Sequence, residues 1–354
     1  MRLFACTSCG ARVFFDNHAC LSCGAALGFA PAPQDMLALG ADGAPTEGAG
    51  GRWRACANRA DGCNWLVDAQ EAEGFCVSCR LNRTIPDLSV PRHRALWQEI
   101  EAAKRHFVCN ALRLGLKVEP KARDPRGLAF DFLADAPGGG PGVVTGHADG
   151  LITLNIAEAD PVARMRTRDA LEEPYRTLLG HFRHESGHHY WNLLVRDGPW
   201  LEPFRACFGD ERQDYAEALR RHYATGTPPD WSARFISEYA SSHPWEDWAE
   251  SWSHYLHMVD TLETAWAFGL RLDPRSDAAE AMAAEADFNP YRPVPFQALI
   301  ARWIPLTVAL NALNRSMGHE LAYPFTLSDA VIAKLGFVHR VARGEPPPDS
   351  SVRQ

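Results

Sequence analysis

The spacing of apolar residues divides the chain into stretches of different texture. Residues 1–29 hold short apolar pairs set between cysteines and turn formers, with no sustained period. Residues 30–52, APAPQDMLALGADGAPTEGAGGR, are rich in Ala, Gly and Pro and read as a linker. A second cysteine-rich stretch covers 53–80, and LNRTIPDLSVP at 81–91 reads as an extended connector. Pro86 and Pro91 disfavour helix in the residues before them. From Arg92 the pattern turns helical, with Leu96, Ile100, Ala103, Phe107 and Leu114 recurring at helical spacing through 93–116. Two strand-like runs follow at 127–135 and 150–159, separated by a Gly/Pro run at 137–142. After Pro174 the pattern predicts helices over about 175–196, 210–223, 231–242, 245–268, 276–286, 294–314 and 327–342. The tail GEPPPDSSVRQ, 344–354, is expected to be disordered. The layout is α+β: a cysteine module at 1–29, a linker, a second cysteine module with its connector at 53–91, and a mainly helical domain with a short sheet at 92–343.

Composition narrows the function classes. The chain has 354 residues, 46% of them hydrophobic, enough for a substantial core. A formal charge of -8 disfavours a general nucleic-acid binder, whose footprint is basic. No unbroken run of about 18 apolar residues occurs, so no transmembrane helix is expected. MRLFACTSCG lacks the apolar stretch of a secretory signal, which makes a reducing cytoplasm the default expectation. In that setting the ten cysteines read as metal ligands plus a few free thiols, not as a disulfide framework.

Cys6-x2-Cys9 and Cys20-x2-Cys23 supply two knuckles, hence four sulfurs for one tetrahedral structural zinc. Gly10 and Gly24 follow each knuckle where a tight turn needs glycine. Cys56, Cys63, Cys76 and Cys79 form a less regular set that can hold a second structural zinc. Cys109 and Cys207 stand alone in helical stretches and read as small buried hydrophobes.

The predicted helix at 175–196 carries HFRHESGHHYW. His184 and His188 lie at i and i+4, so two imidazoles can meet one zinc. Glu185, beside the first ligand, is placed to act as general base on a water activated by the metal, the chemistry of peptide-bond hydrolysis. Two imidazoles and one carboxylate leave the fourth position open, as a hydrolytic zinc needs. The carboxylate is sought in HPWEDWAESWSHYLHM, 243–258, where Glu246 and Glu250 share a helical face. One can bind the metal while the other orients a ligand histidine. Spacing alone leaves Glu246, Asp247 and Glu250 all open as the third ligand.

Residues 1–30 and 53–90, HFRHESGHHYW, and SSHPWEDWAESWSHYLHMVDTLETA together resemble a bacterial family of zinc-binding metallopeptidases with an N-terminal zinc ribbon. The resemblance covers nearly the whole chain and implies a zincin-like metallopeptidase domain. More distantly, HESGH followed by EDWAE is similar to the peptidase domains of anthrax lethal factor and the pro-pro endopeptidases. There the pattern is HExxH and then E-x-x-A-E, whose first Glu binds zinc. That likeness implies His184, His188 and Glu246 as ligands, with Glu250 behind them. It also implies a tyrosine seven residues before the Glu ligand that stabilises the tetrahedral intermediate, here Tyr239.

Other residues carry weaker readings. His189 lies about 140° round the helix from His184 and should not share its metal. His181 and Arg183 read as supporting or surface groups, and His254 and His257 as hydrogen-bonding core residues. The strand at 150–156 is a candidate edge for pairing an extended peptide. The leading expectation is a zinc peptidase acting on a peptide or protein, with the zinc modules offering a surface for a protein partner. Two readings compete with it: an interaction or nucleic-acid-binding protein with a scaffold HExxH domain, and a hydrolase of non-peptide amides.

Overall fold

In the N-terminal knuckles, each C-x2-C loop closes on a glycine. In the computed structural model, which describes residues 2–46, 52–136, 142–143, 145–170, 176–275 and 281–347, Gly10 and Gly24 adopt φ of 73° and 76°. A residue with a Cβ rarely takes that conformation. The Cys6 N–H donates to the Ala11 carbonyl and the Gly10 N–H to that of Cys6; Cys20, Ala25 and Gly24 repeat the pattern. Strands β1 (Phe4–Ala5) and β2 (Arg12–Val13) flank the first knuckle as an antiparallel pair. Strand β3 (Ala26–Ala30) follows the second and pairs with β4 (Asp35–Leu39).

Strand β4 lies in the stretch expected to be a linker. Met36, Leu37, Ala38 and Leu39 are all buried, so both faces are covered and no polar alternation marks the strand. Leu37 and Leu39 join Ala30, Trp53 and Leu66 in one apolar cluster. Trp53 and Leu66 belong to the antiparallel pair β5 (Trp53–Ala55) and β6 (Leu66–Asp68) of the second cysteine module. The Phe29 ring lies edge-on to Phe15 at 4.8 Å and tilted against Trp65 at 4.9 Å, centroid to centroid. The two modules therefore share a core.

The same compact unit, Met1–Arg113 with Lys117–Asp169, contains a four-stranded sheet. Its members are β7 (Asn82–Thr84), β8 (Ala129–Leu133), β9 (Gly146–Ala148) and β10 (Leu151–Asn155), in the order β7-β8-β10-β9. Helix α1 (Pro91–Arg113) precedes β8, and α2 (Pro161–Ala170) follows β10. Strand β10 is parallel to β8 on one side and antiparallel to β9 on the other. The expected peptide-pairing edge at 150–156 is thus an interior strand, with Ile152 and Leu154 fully buried. In this division residues 92–113 and 117–169 group with the cysteine modules.

The second unit, Leu114–Leu116 with Ala170–Gln354, is helical. It comprises α3 (Leu178–Leu194), α4 (Leu201–Phe208), α5 (Tyr215–Thr225), α6 (Pro244–Ala267), α7 (Phe296–Ser316) and α8 (Asp329–Ala342). A small pair, β11 (Arg271–Leu272) and β12 (Ala284–Glu285), lies between α6 and α7. Helix α6 is buried on nearly every side and packs against α3, α7 and α8. It starts sharply because the His243 side chain accepts the Trp245 N–H and Pro244 occupies the first turn.

The expected helix at 231–242 is replaced by two short 3-10 turns at Trp231–Ala233 and Tyr239–Ser241. The Ser237 hydroxyl accepts the Ala240 N–H and the Ser241 hydroxyl donates to the Glu238 carbonyl, diverting backbone groups from a helical ladder. Helix α5 begins later than expected because Asp214 caps it, accepting the Glu217 N–H. For the helix expected over 276–286, residues 276–280 lie outside the described residues, and Ala284–Glu285 is strand β12. Residues 137–141 of the Gly/Pro run and 348–354 of the expected tail also lie outside them. Helix α7 is long and apolar enough to cross a membrane by length and composition alone, a test that the core helix of a soluble protein also passes. Polar residues such as Arg302 and Asn311 interrupt its apolar run. Its Phe296, Leu299 and Trp303 are buried.

Candidate zinc centres and active site

Among the described residues three groups of side chains converge closely enough to hold a metal ion. In the first, the Cys6 and Cys23 sulfurs are 3.9 Å apart and those of Cys9 and Cys20 3.7 Å. Four sulfurs at zinc–sulfur bonds of about 2.3 Å sit about 3.8 Å from one another, so the spacing fits zinc and is far too long for disulfides. Backbone N–H groups of Cys23 and Ser22 point at Cys20 and pull its thiol down to about 7, favouring thiolate. In the second group Cys63 and Cys76 are 3.7 Å apart, and Cys56, Cys63, Cys76 and Cys79 are all buried. The Cys76 N–H donates to the Cys56 sulfur and the Cys79 N–H to that of Cys76. No water-facing side is left in this second set, which suits a closed structural site.

The third group joins His184 and His188 of α3 to Glu246 of α6, with donor atoms within 4.8 Å of one another. The Glu246 Oε2 lies 3.0 Å from His184 Nε2 and 3.6 Å from His188 Nε2. Zinc held at about 2.0–2.1 Å separates its tetrahedral donors by about 3.4 Å. Oε2 is buried and faces the two imidazole nitrogens. A buried carboxylate oxygen facing two imidazole nitrogens is an arrangement that a cation resolves. Burial would raise the Glu246 carboxyl, but His188 and His184 outweigh it and hold the group well below the usual carboxylate range.

Behind these three side chains the arrangement continues. Glu250 Oε1 is 2.7 Å from His184 Nδ1, and the Ser237 hydroxyl donates to Oε2 of the same carboxylate at 2.7 Å. Glu250 thereby fixes the imidazole with Nε2 turned to Glu246. Trp245 lays its ring 4.4 Å from that of His188. The Tyr239 ring is 6.0 Å from His184, and its phenol also interacts with that of Tyr215. The Tyr215 hydroxyl donates to Glu246 Oε1 at 2.5 Å. Burial, and then the Glu246 charge, push both phenols above their ordinary range, so both remain O–H donors. Glu185 is buried next to His184 and adds its negative charge to the field at Tyr215.

Close helix contact sets these distances. The Trp248 indole N–H donates to the Gly187 carbonyl at 2.8 Å and that of Trp252 to the Ser186 hydroxyl at 3.2 Å. A Cβ on Gly187 would sit 2.9 Å from Ala249 Cα. The glycine of HESGH and the alanine of EDWAE are thus the crossing point that brings Glu246 onto the histidines. At the far end of the crossing, buried Arg183 pairs with Asp260 at 2.7 Å and with His257 at 2.5 Å.

The other singled-out residues lie elsewhere. Asp247 is fully buried, but its Oδ2 takes the Lys334 ammonium of α8 at 2.6 Å. Burial, opposed by Lys334, leaves its carboxyl raised to about 7. His254 Nδ1 bonds the Tyr323 hydroxyl at 2.8 Å in the core, and the Tyr255 hydroxyl bonds His339 Nδ1 at 3.1 Å. Tyr215, Ser237 and Trp245 had no signal of their own in the sequence. Ser237 and Trp245 are merely neighbours of Tyr239 and Glu246, and Tyr215 is a distant residue behind a helix cap.

A family model described as "Putative zinc-binding metallo-peptidase" matches residues 93–341. The chain belongs to this zinc-binding metallopeptidase family. A zinc-ribbon domain model matches residues 3–90, across both cysteine groups of this metallopeptidase-family chain. Uncharacterized proteins of Mycobacterium bovis and Mycobacterium tuberculosis are each 42% identical over 344 residues, covering 96% of the chain and 95% of theirs. No solved structure matches, and the family models and relatives do not show the expected likeness to lethal factor and the pro-pro endopeptidases.

Proposed function

We propose that this chain hydrolyses peptide bonds at a zinc held by His184, His188 and Glu246, with a peptide or protein as substrate. The observation that carries the reading is the convergence of the three donor atoms, with a buried carboxylate oxygen 3.0 Å and 3.6 Å from two imidazole nitrogens. When bound, the zinc polarises a carbonyl and makes water acidic enough to react near neutral pH. Glu185 accepts the proton of the attacking water on its carboxylate and returns it to the departing amine nitrogen. The Tyr239 hydroxyl donates a hydrogen bond to the carbonyl oxygen as negative charge develops there. Ser237 and Glu250 hold His184 in one tautomer, with Nε2 free of a proton and turned toward the metal. The Cys6, Cys9, Cys20, Cys23 and Cys56, Cys63, Cys76, Cys79 sets hold two structural zincs.

The test is a peptide-library digest with purified protein, repeated with a chelator and with Glu185→Gln. Cleavage that needs metal and disappears in the variant is expected. Cleavage that survives Glu185→Gln, or that continues with the metal removed, would refute the assignment.

A further inference from the structure

We propose that Tyr215 is a positioning residue for Glu246: its hydroxyl occupies one carboxylate oxygen, so that only the other is offered to the metal. The proposal rests on the zinc reading of His184, His188 and Glu246. The division of the carboxylate is geometric. Oε1 accepts the Tyr215 O–H at 2.5 Å, whereas Oε2 faces His184 Nε2 at 3.0 Å and His188 Nε2 at 3.6 Å.

Local structure holds the phenol in place. Tyr215 is the first residue of α5, directly after the Asp214 cap. The carbonyl of Gln213, just before that cap, lies 3.2 Å from His243 Nε2. His243 in turn caps α6, one turn from the carboxylate. The Tyr215 ring sits edge-on to His243 at 5.2 Å and to Trp245 at 6.2 Å. The start of α5 and the start of α6 are therefore tied together on either side of Glu246.

A carboxylate can bind a cation through one oxygen or both. A hydrolytic zinc needs a position left over for water. If Oε1 were free it could rotate onto the metal and fill that position. Tyr215 prevents this by offering Oε1 a charge-assisted hydrogen bond, the strong class of such bonds.

The test uses the full chain with cobalt(II) as the metal probe, read by visible absorption. Difference spectra against Glu246→Ala isolate this site from the two thiolate sites. Tyr215→Phe removes only the hydroxyl and keeps the ring packing, and its melting temperature is followed alongside. The expected result is weaker visible bands, because a second carboxylate oxygen raises the coordination number. Metal affinity should fall by roughly 10–100-fold, as for other outer partners of ligands. A Tyr215→Phe spectrum identical to wild type overturns the proposal, whatever happens to stability. A wild type indistinguishable from Glu246→Ala instead overturns the zinc reading beneath it, and the Tyr215 proposal with it.

Discussion

Gly187→Ala tests the helix crossing on which the site depends. Gly187 lies inside α3, where replacing glycine by alanine ordinarily stabilises a helix by about 1 kcal/mol. Here the added Cβ would meet Ala249 Cα at 2.9 Å, and Ala249 Cβ and Trp252 Cβ at 3.3 Å. Carbon atoms rest at about 3.5–4.0 Å, so α3 and α6 must part by roughly 0.6–1 Å. Overpacking of this kind costs about 1–3 kcal/mol. It outweighs the helix gain over most of that range, for a net loss of up to about 2 kcal/mol. The displacement falls on the donors, because His188 adjoins Gly187 and Glu246 lies one turn before Ala249. Their separation of 3.6 Å would open, while metal sites tolerate only about 0.2 Å in bond length. Competition with a chromophoric chelator should show at least a roughly 10-fold loss of affinity at this site, with the thiolate sites unchanged. Adding Ala249→Gly should restore only part of the loss, since the nearest atom is the α-carbon. A Gly187→Ala protein that melts at or above wild type and binds metal equally well would refute the reasoning.

Elemental analysis of protein purified without added metal should give three zinc equivalents per chain, falling to two in Glu246→Ala; an unchanged count in that variant would remove Glu246 from the ligands. Glu185→Gln should keep its zinc and lose hydrolysis, checked by metal content and peptide cleavage on the same sample. Tyr239→Phe should lower kcat by roughly 100-fold with little change in KM; equal effects on both would assign Tyr239 to substrate binding instead. Burial pushes His254 and His339 down to about 4, so both stay neutral in the folded chain while unfolded histidine takes up a proton below about 6.5. The contribution of His254 should therefore fall as pH drops from about 6.5 to 4, by roughly 3 kcal/mol, and level off below, with His339 adding a smaller share. Denaturant melts of His254→Gln across that window should show a shallower slope, and an unchanged slope would count against His254.

The cysteine knuckles and the His184–His188 pair were legible as candidate ligands because each depends on short-range spacing. A C-x2-C knuckle places two sulfurs on one side of a tight turn, and HExxH places two imidazoles on one helical face. The choice among Glu246, Asp247 and Glu250 was not legible from spacing. It depends on what surrounds α6: Lys334 of α8 takes Asp247, Ser237 and His184 take Glu250, and only Glu246 is left facing both histidines. Strand β4 was hidden in an Ala-rich stretch because a strand covered on both faces has no polar alternation to announce it. The helix expected at 231–242 failed because serine side chains compete for the backbone groups it would need. Sequence by itself determined which residues can bind metal, since local geometry is set by bonds and backbone. Tertiary packing decided which of them meet and what holds them, because that depends on Gly187 and Ala249 letting two helices approach and on residues as distant as Tyr215 closing over the result.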